Sequence, residues 1–249
     1  MEKFSCEPFG VVTLVRRKGA KNLTIRIKAD ELMVSADLYM SREDIVKFIR
    51  LNRDTILEKQ QEEKASRKLI TENFKIENRY FSICVKKDAR MTKDLLSLHN
   101  SSKDLPYKFT IRCREDIDFD NSDTQKRLAK TVNDAICMAA EKPLTYRTLL
   151  LSGRLNKKIR FINIKIENSR WGSCTCNRDI NLSAYLILLP QHIIDFVITH
   201  ELCHLDVMNH GPRFHTLLNK YTGGKEAELK KELDEYSTNF LNYTTEADV

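Results

Sequence analysis

His200-Glu201-Leu202-Cys203-His204 places two imidazoles four residues apart, with a carboxylate directly after the first. On a helix, residues four apart share a face, so both rings can point at one metal ion. Zinc held by imidazoles polarises a carbonyl and acidifies water. Glu201 stands where its carboxylate can take a proton from that water without being a ligand. The implied chemistry is metal-assisted hydrolysis of a peptide bond. A catalytic zinc keeps three protein ligands and one open position. Asn209, Gly211 and Pro212 are turn residues, which ends the helix at about Met208 and brings His210 back as a third ligand. Glu226 and Glu228 compete for that role, although they belong to a charged stretch whose ordinary function is solvation.

The elements that must position these groups are legible in outline. Pro190 opens an apolar run through Thr199, as the first turn of a buried helix requires. Asp179-Ile180-Asn181-Leu182-Ser183 reads as a strand before it, either an edge beside the cleft that pairs with an extended peptide or one more core strand. A short helix is expected from about Pro212 to Tyr221 and a charged one from about Lys225 to Asn242. Farther upstream, strands are expected at Val11–Val15, Leu23–Ile27, Leu32–Ala36, Phe74–Ile76, Tyr80–Val85, Lys108–Cys113 and Ile159–Ile166. Ser41 with Asp44 opens one helix carrying Ile45, Phe48, Ile49, Ile56 and Leu57; Ser122 with Gln125 opens another, which Pro143 should kink or break. Residues 86–107 are polar and weakly patterned, and no internal repeat is visible. A domain boundary near residue 120 separates residues 1–120 from 121–249.

Five residues separate His204 from His210, as in metzincins, but Val207 stands where those have glycine and no Met-turn follows. Arg170-Trp171-Gly172-Ser173-Cys174, Ile180-Asn181-Leu182, Pro190, the His200–His204 motif and Asn209-His210-Gly211-Pro212-Arg213-Phe214 together resemble the YgjP-like metallopeptidases, relatives of the SprT-like zinc proteases. Lys21–Lys28 and the segment with Phe48 and Ile49 are similar to that family's N-terminal region. The resemblance implies a zinc-dependent peptidase with one Zn2+ per chain, His200, His204 and His210 as ligands, Glu201 as the base, and a peptide or protein substrate. The expected fold is α+β: a zincin-like C-terminal catalytic domain with an active-site helix and small sheet, after a small β-rich N-terminal domain with one long helix. Arg170, Tyr185 and Tyr221 are candidates to stabilise charge on the scissile carbonyl, and Asn181 lies on the strand that could contact substrate. Trp171 reads as a core anchor of its loop and Gly172 as a turn residue.

Other readings of these residues are structural. His192 and His215 read as surface or supporting histidines, and Cys174, Cys176 and Cys203 as buried, inert thiols. Seven scattered cysteines form no disulfide framework and fit a reducing cytoplasm. The first residues lack a secretory signal, and no apolar run reaches the length of a membrane span. The net charge of +7 and the run Arg16-Arg17-Lys18-Gly19-Ala20-Lys21 leave DNA contact through the N-terminal region open, with a peptidase acting on DNA-bound proteins. A metal-stabilised interaction module without turnover is the third reading, disfavoured by the base at Glu201.

Overall fold

A computed structural model describes residues 2–20, 22–27, 31–66, 69–92 and 95–238, the side chains of 63–66 excepted. Two compact units divide the chain, Met1–Lys68 and Leu69–Val249. The expected boundary near 120 falls inside the second unit, where Phe81, Ile83, Phe109 and Ile111 share one core with Leu128, Val132, Ala135 and Ile136.

In the first unit, β1 (Glu2–Ser5), β2 (Val11–Arg17), β3 (Thr24–Ile27) and β4 (Glu31–Asp37) form a sheet in the order β1-β2-β4-β3. The β2–β4 pair is parallel and the outer pairs are antiparallel. Alternation along β4 sends Leu32, Val34 and Ala36 into the core. Helix α1 (Arg42–Leu51) buries Ile45 and Ile49 against them; its cap is the expected one, Ser41 Oγ accepting from Asp44 N at 3.0 Å. The single long helix is in fact two. Asn52 caps α1, its side chain donating to Phe48 O at 2.8 Å, and α2 (Arg53–Ser66) follows. Arg16, first of the basic run, donates to the carbonyls of Leu38 at 3.2 Å and Met40 at 2.6 Å, so its guanidinium ties down the turn before α1. Lys21 and Lys28 lie outside the described residues.

In the second unit, β5 (Lys75–Glu77), β6 (Phe81–Lys87), β7 (Leu96–Asn100) and β8 (Tyr107–Cys113) form a sheet in the order β5-β6-β8-β7. Its directions are those of the first sheet: β6–β8 parallel, the outer pairs antiparallel. The two sheets thus share one topology that the sequence does not display as a repeat. Strand β7 comes from the weakly patterned stretch, and it is an edge strand with Ser97, His99 and Asn100 exposed.

Helix α3 (Ser122–Arg154) runs unbroken through Pro143. A proline forfeits one backbone bond, but Ala139, Ala140, Leu144, Thr148 and Leu151 continue the buried stripe on both sides, and that packing keeps the helix whole. Asn121, not Ser122, is its cap, accepting from the amides of Asp123 and Thr124 at 2.9 and 3.1 Å. Gln125 turns instead to Ile70, accepting from its N–H and donating to its carbonyl, both at 2.9 Å.

After α3 come β9 (Phe161–Lys165), β10 (Gly172–Cys174) and β11 (Asp179–Ser183), in the order β10-β11-β9. A 3-10 turn at Ala184–Leu188 leads into α4 (Gln191–Cys203), then α5 (Pro212–Tyr221) and α6 (Glu226–Leu233). Helix α4 stops at Cys203, short of Met208, because the chain tightens to bonds such as Leu205 N to Leu202 O. The span of α5 is the expected one. Helix α6 ends before the expected Asn242, and residues 239–242 lie outside the described ones. No helix is long and apolar enough to cross a membrane among the described residues.

Candidate metal centre

Helix α4 is buried on almost every side, with Ile193, Ile194, Phe196, Val197, Ile198 and Leu202 in the core, so its last turn is a rigid platform. That turn carries His200, and His204 is its C-terminal cap. The loop after it returns His210 to the same spot. The His200 and His210 Nε2 atoms are 3.0 Å apart, and one nitrogen from each of the three rings lies within 4.8 Å of the others. Two ligand bonds of about 2 Å span the shorter gap. The Nδ1 of His204 is 3.1 Å from Val207 O; the carbonyl accepts its proton and leaves Nε2 free to bind a cation. No other group of three His, Cys, Asp or Glu side chains converges in this way among the described residues. The donor set fits a zinc ion: three imidazoles, one already locked in a ligand tautomer.

Burial, reinforced by the neighbouring imidazoles, lowers the His200 pKa to about 4. Burial likewise lowers that of His204. Both rings are therefore neutral at pH 7, the state in which imidazole binds metal. Phe214 lies beneath all three, its ring centroid 4.8 Å from His200, 4.5 Å from His204 and 4.7 Å from His210. It is fully buried at the start of α5. The sequence offered it only as the aromatic four residues after His210, a spacing any core helix can show.

Glu201 is 5% exposed, and burial raises its pKa to about 8 against the opposing charge of Arg170. Its carboxyl group rests on Gly172. A Cβ at that glycine would sit 2.8 Å from both Glu201 Cγ and Oε1. The expected turn role of Gly172 is thus corrected: it is a strand residue whose missing side chain leaves room for the carboxylate. Gly172→Ala is expected to destabilise the protein by about 1–3 kcal/mol and to displace Glu201. Thermal melts check this; an alanine variant as stable as wild type would place the carboxylate elsewhere.

The remaining candidates divide. Arg170 is exposed and precedes β10, and its charge reaches Glu201. Asn181 sits between Asn163 and Ser173 in a chain of side-chain hydrogen bonds at 3.3 Å, across the small sheet. Tyr185 is withdrawn from the site: it is 2% exposed and its hydroxyl donates to Asn133 on α3 at 2.7 Å. Tyr221 packs with Phe196, Cys203 and Phe214 under the site, its ring beside Lys157. Glu226 is engaged by His215 Nδ1 at 2.5 Å, and His192 pairs with Glu232 at 2.8 Å. Burial pushes Cys174 to about 11 and Cys203 to about 12, which keeps both as thiols.

Strand β11, the suggested peptide-pairing edge, is central, antiparallel to β10 and parallel to β9. The free edge beside Glu201 is β10. Its bonds to β11 run from Ser183 N to Trp171 O at 2.9 Å and from Thr175 N to Asp179 O at 3.0 Å. Antiparallel alternation then points the N–H and C=O of Gly172 and Cys174 outward.

The family of YgjP-like metallopeptidase domains matches residues 21–236. Among solved structures, the metallopeptidase zymogen jannalysin of Methanocaldococcus jannaschii aligns over 37% of this chain and 94% of its own. That alignment has 22% identity and a TM-score of 0.33, too low to bear on the reading of this fold. No curated protein matches.

Proposed function

Because the chain belongs to the YgjP-like metallopeptidase family, we propose that it hydrolyses peptide bonds with one zinc ion held by His200, His204 and His210 and with Glu201 as the general base. The observation that carries this reading is the convergence of the three imidazoles, with His204 fixed in the ligand tautomer by Val207. When bound, zinc supplies Lewis-acid charge that acidifies water and polarises a carbonyl.

The chain supplies the rest. Glu201 receives the proton of the attacking water on its carboxylate and returns it to the leaving amine. Gly172 fixes where that carboxylate stands. The outward amide and carbonyl groups of Gly172 and Cys174 pair with an extended substrate and lay its backbone along β10. Arg170, exposed and with its charge felt at Glu201, would stabilise negative charge developing on the substrate. The arrangement is zincin-like in its parts: a ligand-bearing helix, a base on that helix, and a short edge strand next to it.

The test is digestion of unfolded protein or a peptide library, read by mass spectrometry. Zinc-loaded protein is expected to generate new termini, chelation to stop this, and zinc to restore it. Full cleavage after chelation would refute the reading, and so would a loaded chain that cleaves nothing under any of these conditions.

A further inference from the structure

Lys157 lies outside the ligand set and the base, yet its surroundings lead straight to them. Helix α3 ends at Arg154, and Asn156 takes a left-handed φ of 51°. The Lys157 N–H then closes the turn on Ser152 O at 2.8 Å, which fixes the backbone that carries the side chain. Its ammonium pairs with Asp206, two residues after His204 in the loop that brings round His210. It also stands 5.4 Å from the centre of the Tyr221 ring, at the end of α5. The lysine side chain is only 9% exposed, whereas Asp206 remains 40% exposed. Burial works against the Lys157 charge, but Asp206 and Tyr221 beside it outweigh that and leave the pKa raised.

An ammonium buried in this way joins three separate pieces: the end of α3, the ligand loop and the far end of α5. Helix α5 begins with the Phe214 platform. Among the described residues, the loop's other bonds are local, such as Val207 O to the His204 ring and Val207 N to Cys203 O at 3.0 Å. We propose that Lys157 is a positioning residue of the metal centre, holding the His204–His210 loop against α3 and α5 so that the imidazoles stand together before a metal arrives. This rests on the assignment of the three histidines as zinc ligands. Partners outside the ligand shell that orient metal ligands are worth about 10–100-fold in metal affinity.

The experiment measures zinc affinity by competition with a chelator, on wild type, Lys157→Met, Lys157→Arg and Asp206→Asn. Amide exchange of the metal-free proteins is followed in parallel. Lys157→Met is expected to weaken zinc binding about 10–100-fold and to speed exchange in residues 205–211 while α3 stays protected. Lys157→Arg should recover most of the affinity. Asp206→Asn should fall with the methionine variant, and combining the two should add little. Unchanged affinity in a folded Lys157→Met or Asp206→Asn overturns the proposal. So does a loss that tracks general loosening of α3, which would mark Lys157 as a plain stabiliser. Should Lys157→Met not fold, Asp206→Asn decides, since water can reach its half-exposed position. A wild type that binds no zinc fails the ligand assignment itself, and the proposal with it.

Discussion

Glu201→Gln is expected to keep zinc and to lower peptide turnover by about 10²–10⁴-fold, the range that a positioned general base contributes. The substitution is close to isosteric, so the amide fits the space over Gly172 that the carboxyl group now fills. What it removes is the ability to accept a proton. The metal-free protein carries a second signature. With a folded pKa of about 8 against an ordinary value of 4.5, Glu201 holds a proton in the fold that the unfolded chain releases. Stability therefore falls as pH rises between those two values, and the glutamine variant loses that slope. Metal content, turnover and melts from pH 4 to 9 test all three statements. Undiminished turnover in a zinc-loaded glutamine variant would remove Glu201 from the mechanism.

His204→Ala is expected to empty the site. Its ring is the most constrained of the three, bonded to Val207 O and stacked on Phe214 at an interplanar angle of 29°. The loss of a direct ligand should exceed the ~100-fold upper end for supporting residues, leaving little zinc after dialysis. Metal content by mass spectrometry reads this directly. His192→Ala is the control: it breaks only the pairing with Glu232 and should retain one equivalent. Stoichiometric zinc in His204→Ala would move the site elsewhere, and equal loss in both variants would point to general instability.

The local part of this site could be read from the chain because its information is local. Two histidines on one helical face, a turn at Asn209–Gly211 and a proline opening the next helix are consequences of spacing alone, and the span of α5 follows from them. What escaped reading joins distant residues. Gly172 looks like a turn glycine until the sheet sets it against Glu201, and Lys157 looks like one of many surface cations until α3 delivers it to Asp206. Tyr185 has the right chemistry for a charge-stabilising hydroxyl, but the 3-10 turn that carries it faces Asn133. Strand β11 could not be known as central, since its parallel partner β9 lies across a connection whose path no period in the sequence records. At Pro143 and Gln125 a sound local rule lost to tertiary packing: a continuous buried stripe in one case, the backbone of Ile70 in the other.

The shared topology of the two four-stranded sheets bears on how the protein reaches its native state. Each sheet consists of two neighbouring hairpins, β1–β2 with β3–β4 and β5–β6 with β7–β8, joined along one parallel seam. Hairpins close within microseconds from nearby residues, whereas a parallel pairing waits on a longer loop. The seams β2–β4 and β6–β8 are thus expected to close after the hairpins, and they bring buried apolar side chains together, Leu14 near Val34 and Phe81, Ile83 near Phe109, Ile111. The expected order of assembly is therefore the same in both units, hairpins first and the parallel seam after.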